Sequence, residues 1–288
     1  GNIFMGMTES PVLIKNYLPT MNRSEIFLVM VSGMGTIAGS VMGTYIGMLG
    51  GTDPASKVLF ATHLLSASVM AVPGSIVLAK MLCPQTEEAT DHVAVSGKEK
   101  ENSNILDAIS SGTVTGVKLM TNIAAMLLVF ISLVALANYV TEDVIGRYTG
   151  LNDWIVQISD GKAKGLTFQF ILGVITAPFM WLIGVPGQDI MLVGSLLGQK
   201  TILNEFVAYF QLQQWKDAGL FMYEKSILMS TYILCGFANI SSIGILLGGL
   251  GVLAPEKRGL ISRIGVPAMI GGALVSVLSA TIIGMILG

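Results

Sequence analysis

Seven apolar stretches run along the chain, approximately 26–49, 58–83, 119–140, 165–185, 190–212, 227–253 and 264–287. All match or exceed the ~20 residues that a helix needs to cross a bilayer. Three places break the pattern where a lipid-facing helix would be most apolar. Residues 32–40 read SGMGTIAGS and residues 235–242 read CGFANISS, both clusters of small and polar side chains in mid-stretch. Such clusters suit either close helix packing through small residues or a helix that unwinds to expose its backbone. Residues 184–189, GVPGQD, place Pro186, Gly187 and Asp189 inside the span 166–210. That span is predicted to be a re-entrant hairpin, two half-depth helices joined at the GVPGQD tip, since irregular backbone at membrane depth survives only against protein or a water-filled cavity.

Polar stretches separate these segments. Residues 84–104 form a charged loop that leads into ILDAISSGTVTGVK (105–118), amphipathic enough to lie along a membrane surface. Residues 141–164 and 213–226 mix both signs, and PEKRGLISR (255–263) is a tight basic turn. If Lys15, Arg23, Lys80, the 84–118 region and the 255–263 turn share one side, that side holds nine Lys/Arg against six opposite. The positive-inside tendency then makes it cytoplasmic.

Composition sharpens this into a class. Of 288 residues 52% are hydrophobic and 12% charged, against about a quarter charged in soluble domains, and the mean hydropathy is +0.73. The expectation is an all-α, multi-pass integral membrane protein of the cell membrane. A net charge of −2 argues against nucleic acid as a partner. Cys83 and Cys235 stand alone in apolar surroundings and read as free buried thiols rather than a disulfide or metal site. Residues 1–13 carry neither a basic n-region nor a cleavage site of the signal-peptide kind.

The two broken stretches belong to an internal repeat. MTESP with Glu9 precedes GTIAGS with Thr36, and LNEFVAY with Glu205 precedes FANISS with Asn239. With the orientation above the halves are inverted, the arrangement of secondary transporters with a midplane site between repeats. Ionisable groups inside membrane segments mark functional paths by default; Glu9, Asp189, Lys200 and Glu205 are the candidates, and Lys200 and Asp189 can equally tie the hairpin to its neighbours. His63 reads as structural. An enzyme finds little support: HExxH and GxSxG are absent, and two histidines leave little for general-base or metal work.

Four motifs in order carry a family resemblance. GNIFMGMTESP, GTIAGSVMGTYIG, KTILNEFVAY and CGFANISSIGILLGGLG followed by LAPEKRG are similar to the corresponding signatures of concentrative nucleoside transporters. The resemblance implies an elevator-type, homotrimeric symporter with a scaffold and a moving transport domain, no cofactor, and Na+ as coupling ion. It places the nucleobase against Gly6, Met7, Thr8 and Glu9 with Val41 nearby. The ribose falls to Glu205, Asn239 and Ser242, with Phe237 against the solute. Na+ falls to Asn2 and Thr36 with backbone carbonyls near Met5 and Ile37, oxygen ligands that suit a hard cation. The layout expected is a first repeat over 1–118, a scaffold-type helix and external linker over 119–163, and a second repeat over 164–288. The family's earlier helices would precede Gly1, so the chain is expected to be part of a longer transporter. The main alternative is the same carrier driven by protons, with Glu9 or Glu205 titrating; a channel or membrane enzyme stands behind both. Met7 departs from the family's usual Gln, and an apolar thioether there suggests a preference shifted towards purine nucleosides.

Overall fold

The computed structural model describes residues 1–87, 135–159 and 163–288, with scattered positions between 104 and 133. The bulk of the 84–104 loop and more than half of the 119–140 segment lie outside the described residues, as do six positions of the 105–118 stretch. Those described are helical or turn, with no strand among them. The chain divides into two units, Gly1–Val93 with Gln169–Gly288, and Ala94–Phe168.

In the first unit the repeat shows as an element order. The opening residues form turns and a 3-10 segment, Ser10–Ile14, rather than a regular helical limb. Then come α1 (Arg23–Gly35) and α2 (Gly39–Gly50), collinear in sequence but parted at Thr36–Ala38, and the long α3 (Pro54–Leu82). Asn22 and Glu25 start α1 with a reciprocal capping box, and Asp53 followed by Pro54 starts α3. Near one end Lys80 donates to Ser24 (2.9 Å), which places the basic ends of α1 and α3 together, as the charge reading requires.

The second half repeats the order. After α5 (Phe168–Leu182) come α6 (Ile190–Ile202) and α7 (Glu205–Asp217), then the broken pair α8 (Glu224–Leu234) and α9 (Ile240–Leu253), and the long α10 (Arg258–Ile286). (α4, Leu151–Ile158, belongs to the second unit.) Both long helices hold 29 residues and an internal proline, Pro73 and Pro267. Three helical stretches among the described residues are long and apolar enough to cross a membrane: Arg23–Gly50 taken as one, Pro54–Leu82 and Pro255–Ile286.

The hairpin sits later in the chain than the glycine and proline signals placed it. GVPGQD ends α5 in a Schellman motif: Gly184 takes φ +82, Gly184 N–H bonds the Trp181 carbonyl, and Val185 N–H bonds that of Met180. Buried Asp189 then accepts from the backbone N–H of Met222 (3.0 Å) and Tyr223 (3.1 Å), a structural tie. The hairpin is formed by α6 and α7, 13 residues each and so about 20 Å long, shorter than the ~30 Å hydrocarbon core. Its tip needs no glycine, because Leu203 turns the chain and the Asn204 side chain caps α7 through Val207 N–H (2.9 Å).

Packing follows the small residues. Gly271 and Gly272 of α10 lie against Val31 and Met34 of α1, so close that a Cβ at Gly272 would stand 2.7 Å from the Met34 Cβ. One core cluster gathers Phe27, Met30, Met34, Leu250 and Val275; the other gathers Tyr45, Leu64, Leu196, Tyr209 and Tyr232. Phe237 packs against both. His63 lies 3.1 Å from the Tyr232 hydroxyl, the structural role expected of it.

In the second unit Asn152 is a staple. Its amide donates to the Glu142 carbonyl (2.9 Å) and accepts from Leu166 N–H (2.9 Å).

Candidate functional site

The two breaks meet. A helix continuing through residues 234–240 would aim Phe237 N–H at the Ile233 carbonyl four residues back; instead it bonds the Thr36 carbonyl in the first break (3.3 Å). Gly236 makes the approach possible: at φ +150 it sits where a Cβ would be 2.9 Å from the Met34 carbonyl oxygen and 3.0 Å from that of Gly35. Those carbonyls are among the acceptors that α1 leaves unpaired where it ends.

The opening segment lies along the first break. The Phe4 carbonyl accepts from Gly39 N–H (2.9 Å), which satisfies one orphan donor at the start of α2, whose N-cap Ala38 brings no side-chain cap. The Ile3 carbonyl accepts from Ser68 (3.1 Å). Asn2 donates to the Ser32 hydroxyl (2.6 Å), and Thr36 donates to the Ser32 carbonyl (2.9 Å). The Asn2 side-chain oxygen is buried with no hydrogen-bond partner. An orphaned buried acceptor is costly, and Ser32 ties this one to Thr36, which is buried like its neighbour Ile37. Asn2, Thr36 and Ile37 therefore lie at one break, with Met5 three residues on from Asn2; oxygen ligands of this kind would suit a hard cation.

The second group forms around Glu205 at the start of α7. One carboxylate oxygen accepts from Tyr45 of α2 (3.3 Å), the other from the Asn239 amide (3.0 Å). The Asn239 oxygen accepts from Ser242 N–H (2.9 Å) and from the hydroxyls of Ser242 (3.0 Å) and Ser241 (2.6 Å), capping α9. Both Glu205 and Asn239 are buried. The carboxylate thus faces two donors and keeps acceptor capacity for hydroxyl groups of a solute.

Glu205, Asn239 and Ser242 are joined in one chain of bonds, and Val41 and Phe237 are half-buried beside the same core. Gly6, Met7, Thr8 and Glu9 have other neighbours. Met7 is 7% exposed and presses on Gly33, where a Cβ would stand 3.1 Å from its own. The Thr8 methyl faces Gly249 of α9, and the exposed Glu9 folds its carboxylate over Gly6, where that flexible carboxylate is all that a Cβ would meet. Tyr45 is the residue that motif reading passed over: fully buried, stacked on Tyr209 at 4.1 Å and bonded to Glu205. Its signal was faint, a lone hydroxyl-bearing aromatic in the apolar run after the first break.

Comparison with known proteins agrees with this architecture. The family described as "Na+ dependent nucleoside transporter C-terminus" matches residues 63–284. Sodium/nucleoside cotransporter 1 of Rattus norvegicus is 39% identical over 300 residues, covering 99% of this chain and 43% of its own length. Nucleoside permease NupC of Helicobacter pylori is 37% identical over 289 residues, covering all of this chain and 63% of its own. The solved structure of CNTnw in an inward-facing substrate-bound state superposes with a TM-score of 0.82 at 35% identity, over all of this chain and 63% of that one. A doubly substituted CNTnw in an outward-facing state gives 0.81 at 34%, over 99% and 63%. The chain spans less than two thirds of the length of these relatives. These are transporters rather than enzymes, and with the family match over residues 63–284 and the superposition over the whole chain, this integral membrane chain, helical with no strand among the described residues, belongs to the Na+ dependent nucleoside transporter family.

Proposed function

We propose that the chain forms the solute- and ion-binding core of a sodium-coupled nucleoside symporter that works by an elevator movement. The observation that carries this reading is the buried, unpartnered Asn2 oxygen at the first helix break, tied through Ser32 to Thr36. Sodium entering there would knit the opening segment to α1 and α2, and α2 carries Tyr45 to Glu205. Coupling then needs only that the solute bind the ion-loaded state better than the empty one. The ribose hydroxyls would be read by Glu205 and Asn239 through charge-assisted bonds that a dideoxy sugar cannot make. Met7, whose thioether makes no strong hydrogen bond to a base edge, would favour purines through apolar contact if it reaches the solute from its place against Gly33.

Uptake of labelled uridine in sodium-free buffer at two pH values is the deciding test. Sodium dependence that disappears in Asn2→Leu supports the proposal, whereas uptake driven by pH and indifferent to sodium replaces it with proton coupling. Competition by inosine, guanosine and cytidine tests the solute preference, and cytidine competing best would refute the purine bias.

A further inference from the structure

Lys200 is fully buried in the last turn of α6, one step from the hairpin tip, and the solute-binding reading gives it no task. Its ammonium donates to the Ile233 carbonyl (2.8 Å) and to the Ser276 hydroxyl (3.0 Å), and Ser276 in turn donates to the Cys235 carbonyl (3.0 Å). Ile233 and Cys235 flank the end of α8 at the second break. The Ile233 carbonyl is the acceptor that Phe237 N–H abandoned for Thr36. A cation is thus held on carbonyls released where a helix unwinds, at its negative end.

The first repeat also brings an opening segment against a helix break but has no lysine there: Phe4 precedes Glu9 by the spacing at which Lys200 precedes Glu205. There the opening segment lies against the end of α1, α1 ends at Gly35, and the buried acceptor of Asn2 is unfilled by any protein donor. We propose that the Lys200 ammonium is a tethered cation occupying, in the second repeat, the place that the first repeat leaves to Na+, so that one sodium ion rather than two accompanies each solute. This rests on the sodium-coupled reading. A tethered charge returns with the protein in every cycle and carries no ion gradient; it supplies the cohesion of a bound ion without its driving force. The oxygens of Ile233, Cys235 and Ser276 would offer Na+ a hard-ligand site if the ammonium were removed.

The test is the sodium response of nucleoside uptake by the protein as encoded, in proteoliposomes, for wild type, Lys200→Arg and Lys200→Met. Wild type and Lys200→Arg are expected to show hyperbolic activation by sodium. Lys200→Met is expected to need about tenfold more sodium, a step set by losing bonds to a charged donor, and to turn sigmoidal as a second ion enters. A folded Lys200→Met with the wild-type sodium curve overturns the proposal, as does a folded one that no sodium concentration rescues. Should Lys200→Met fail to fold, Ser276→Ala removes one support of the ammonium and is expected to shift the sodium curve to higher concentration; an unchanged curve overturns the proposal. Wild-type uptake indifferent to sodium would overturn the sodium-coupled reading and this proposal together, whereas a hyperbolic wild-type response beside an unshifted variant would sink this proposal alone.

Discussion

The two helix breaks solve one problem in opposite ways. At the second, Asn239 caps the new helix with its side chain, Lys200 fills the Ile233 carbonyl and Ser276 that of Cys235. At the first, Ala38 caps nothing and the Asn2 oxygen is unpartnered. Buried polar groups are nearly always satisfied; the Ile233 and Cys235 carbonyls at the second break meet protein donors, whereas the first break keeps one buried acceptor without a partner. On the proposed sodium-coupled reading, the difference would separate a part of the site that holds its shape from a part whose order depends on a ligand.

The comparison breaks most severely where the breaks touch. Gly236→Ala puts a Cβ onto the carbonyls of Met34 and Gly35 at a backbone angle of +150°. It is expected to destabilise by about 3 kcal/mol, read as a lower melting temperature in detergent and lost uptake.

Glu205→Gln comes next. Exchanging a carboxylate for an amide removes charge-assisted bonding worth about 1.5–3 kcal/mol, so uptake efficiency for ribonucleosides should fall by roughly 10- to 100-fold while dideoxynucleosides lose less. Unchanged affinity would remove Glu205 from the solute site.

A gentler change makes the first break resemble the second. Ala38→Asn supplies a side-chain cap at an extended position, φ −70 and ψ 143, and is expected to raise sodium-free thermal stability by about 0.5–1 kcal/mol. The stabilisation added by saturating sodium should shrink, because part of the disorder it removes is gone; a larger sodium effect would contradict the comparison.

The smallest effect is reserved for Tyr45→Phe. The 3.3 Å bond to Glu205 is long and the ring keeps its stack on Tyr209, so stability should change by less than about 1 kcal/mol. KM for ribonucleosides should rise a few-fold, with dideoxynucleosides unaffected. Equal shifts for both would assign Tyr45 to packing alone.

Much of this is legible in the residues. The small-polar clusters at 32–40 and 235–242 mark both breaks, and the recurrence of an acid ahead of each marks the repeat. The hairpin lies away from its expected place because its tip at Leu203 and Asn204 relies on one capping amide, whereas the louder GVPGQD signal terminates a helix. Asn239 bonds Glu205 and Ser242 alike, a junction that two separate motifs could only hint at. Met7 shows the limit: its chemistry can be read from the chain, but its position against Gly33 cannot.

What the sequence determined by itself was local and compositional: helices long enough to span, where they interrupt, and that a few costly polar groups lie among apolar ones, since periodicity and hydropathy act over neighbouring residues. The tertiary structure decided the pairings. That Phe237 turns to Thr36, that Lys200 inherits Ile233, and that Tyr45 meets Glu205 from 160 residues away all follow from long-range satisfaction of buried donors and acceptors. In a membrane, where no water fills a missing bond, that satisfaction decides which acceptors meet a protein donor and which, like the Asn2 oxygen, do not.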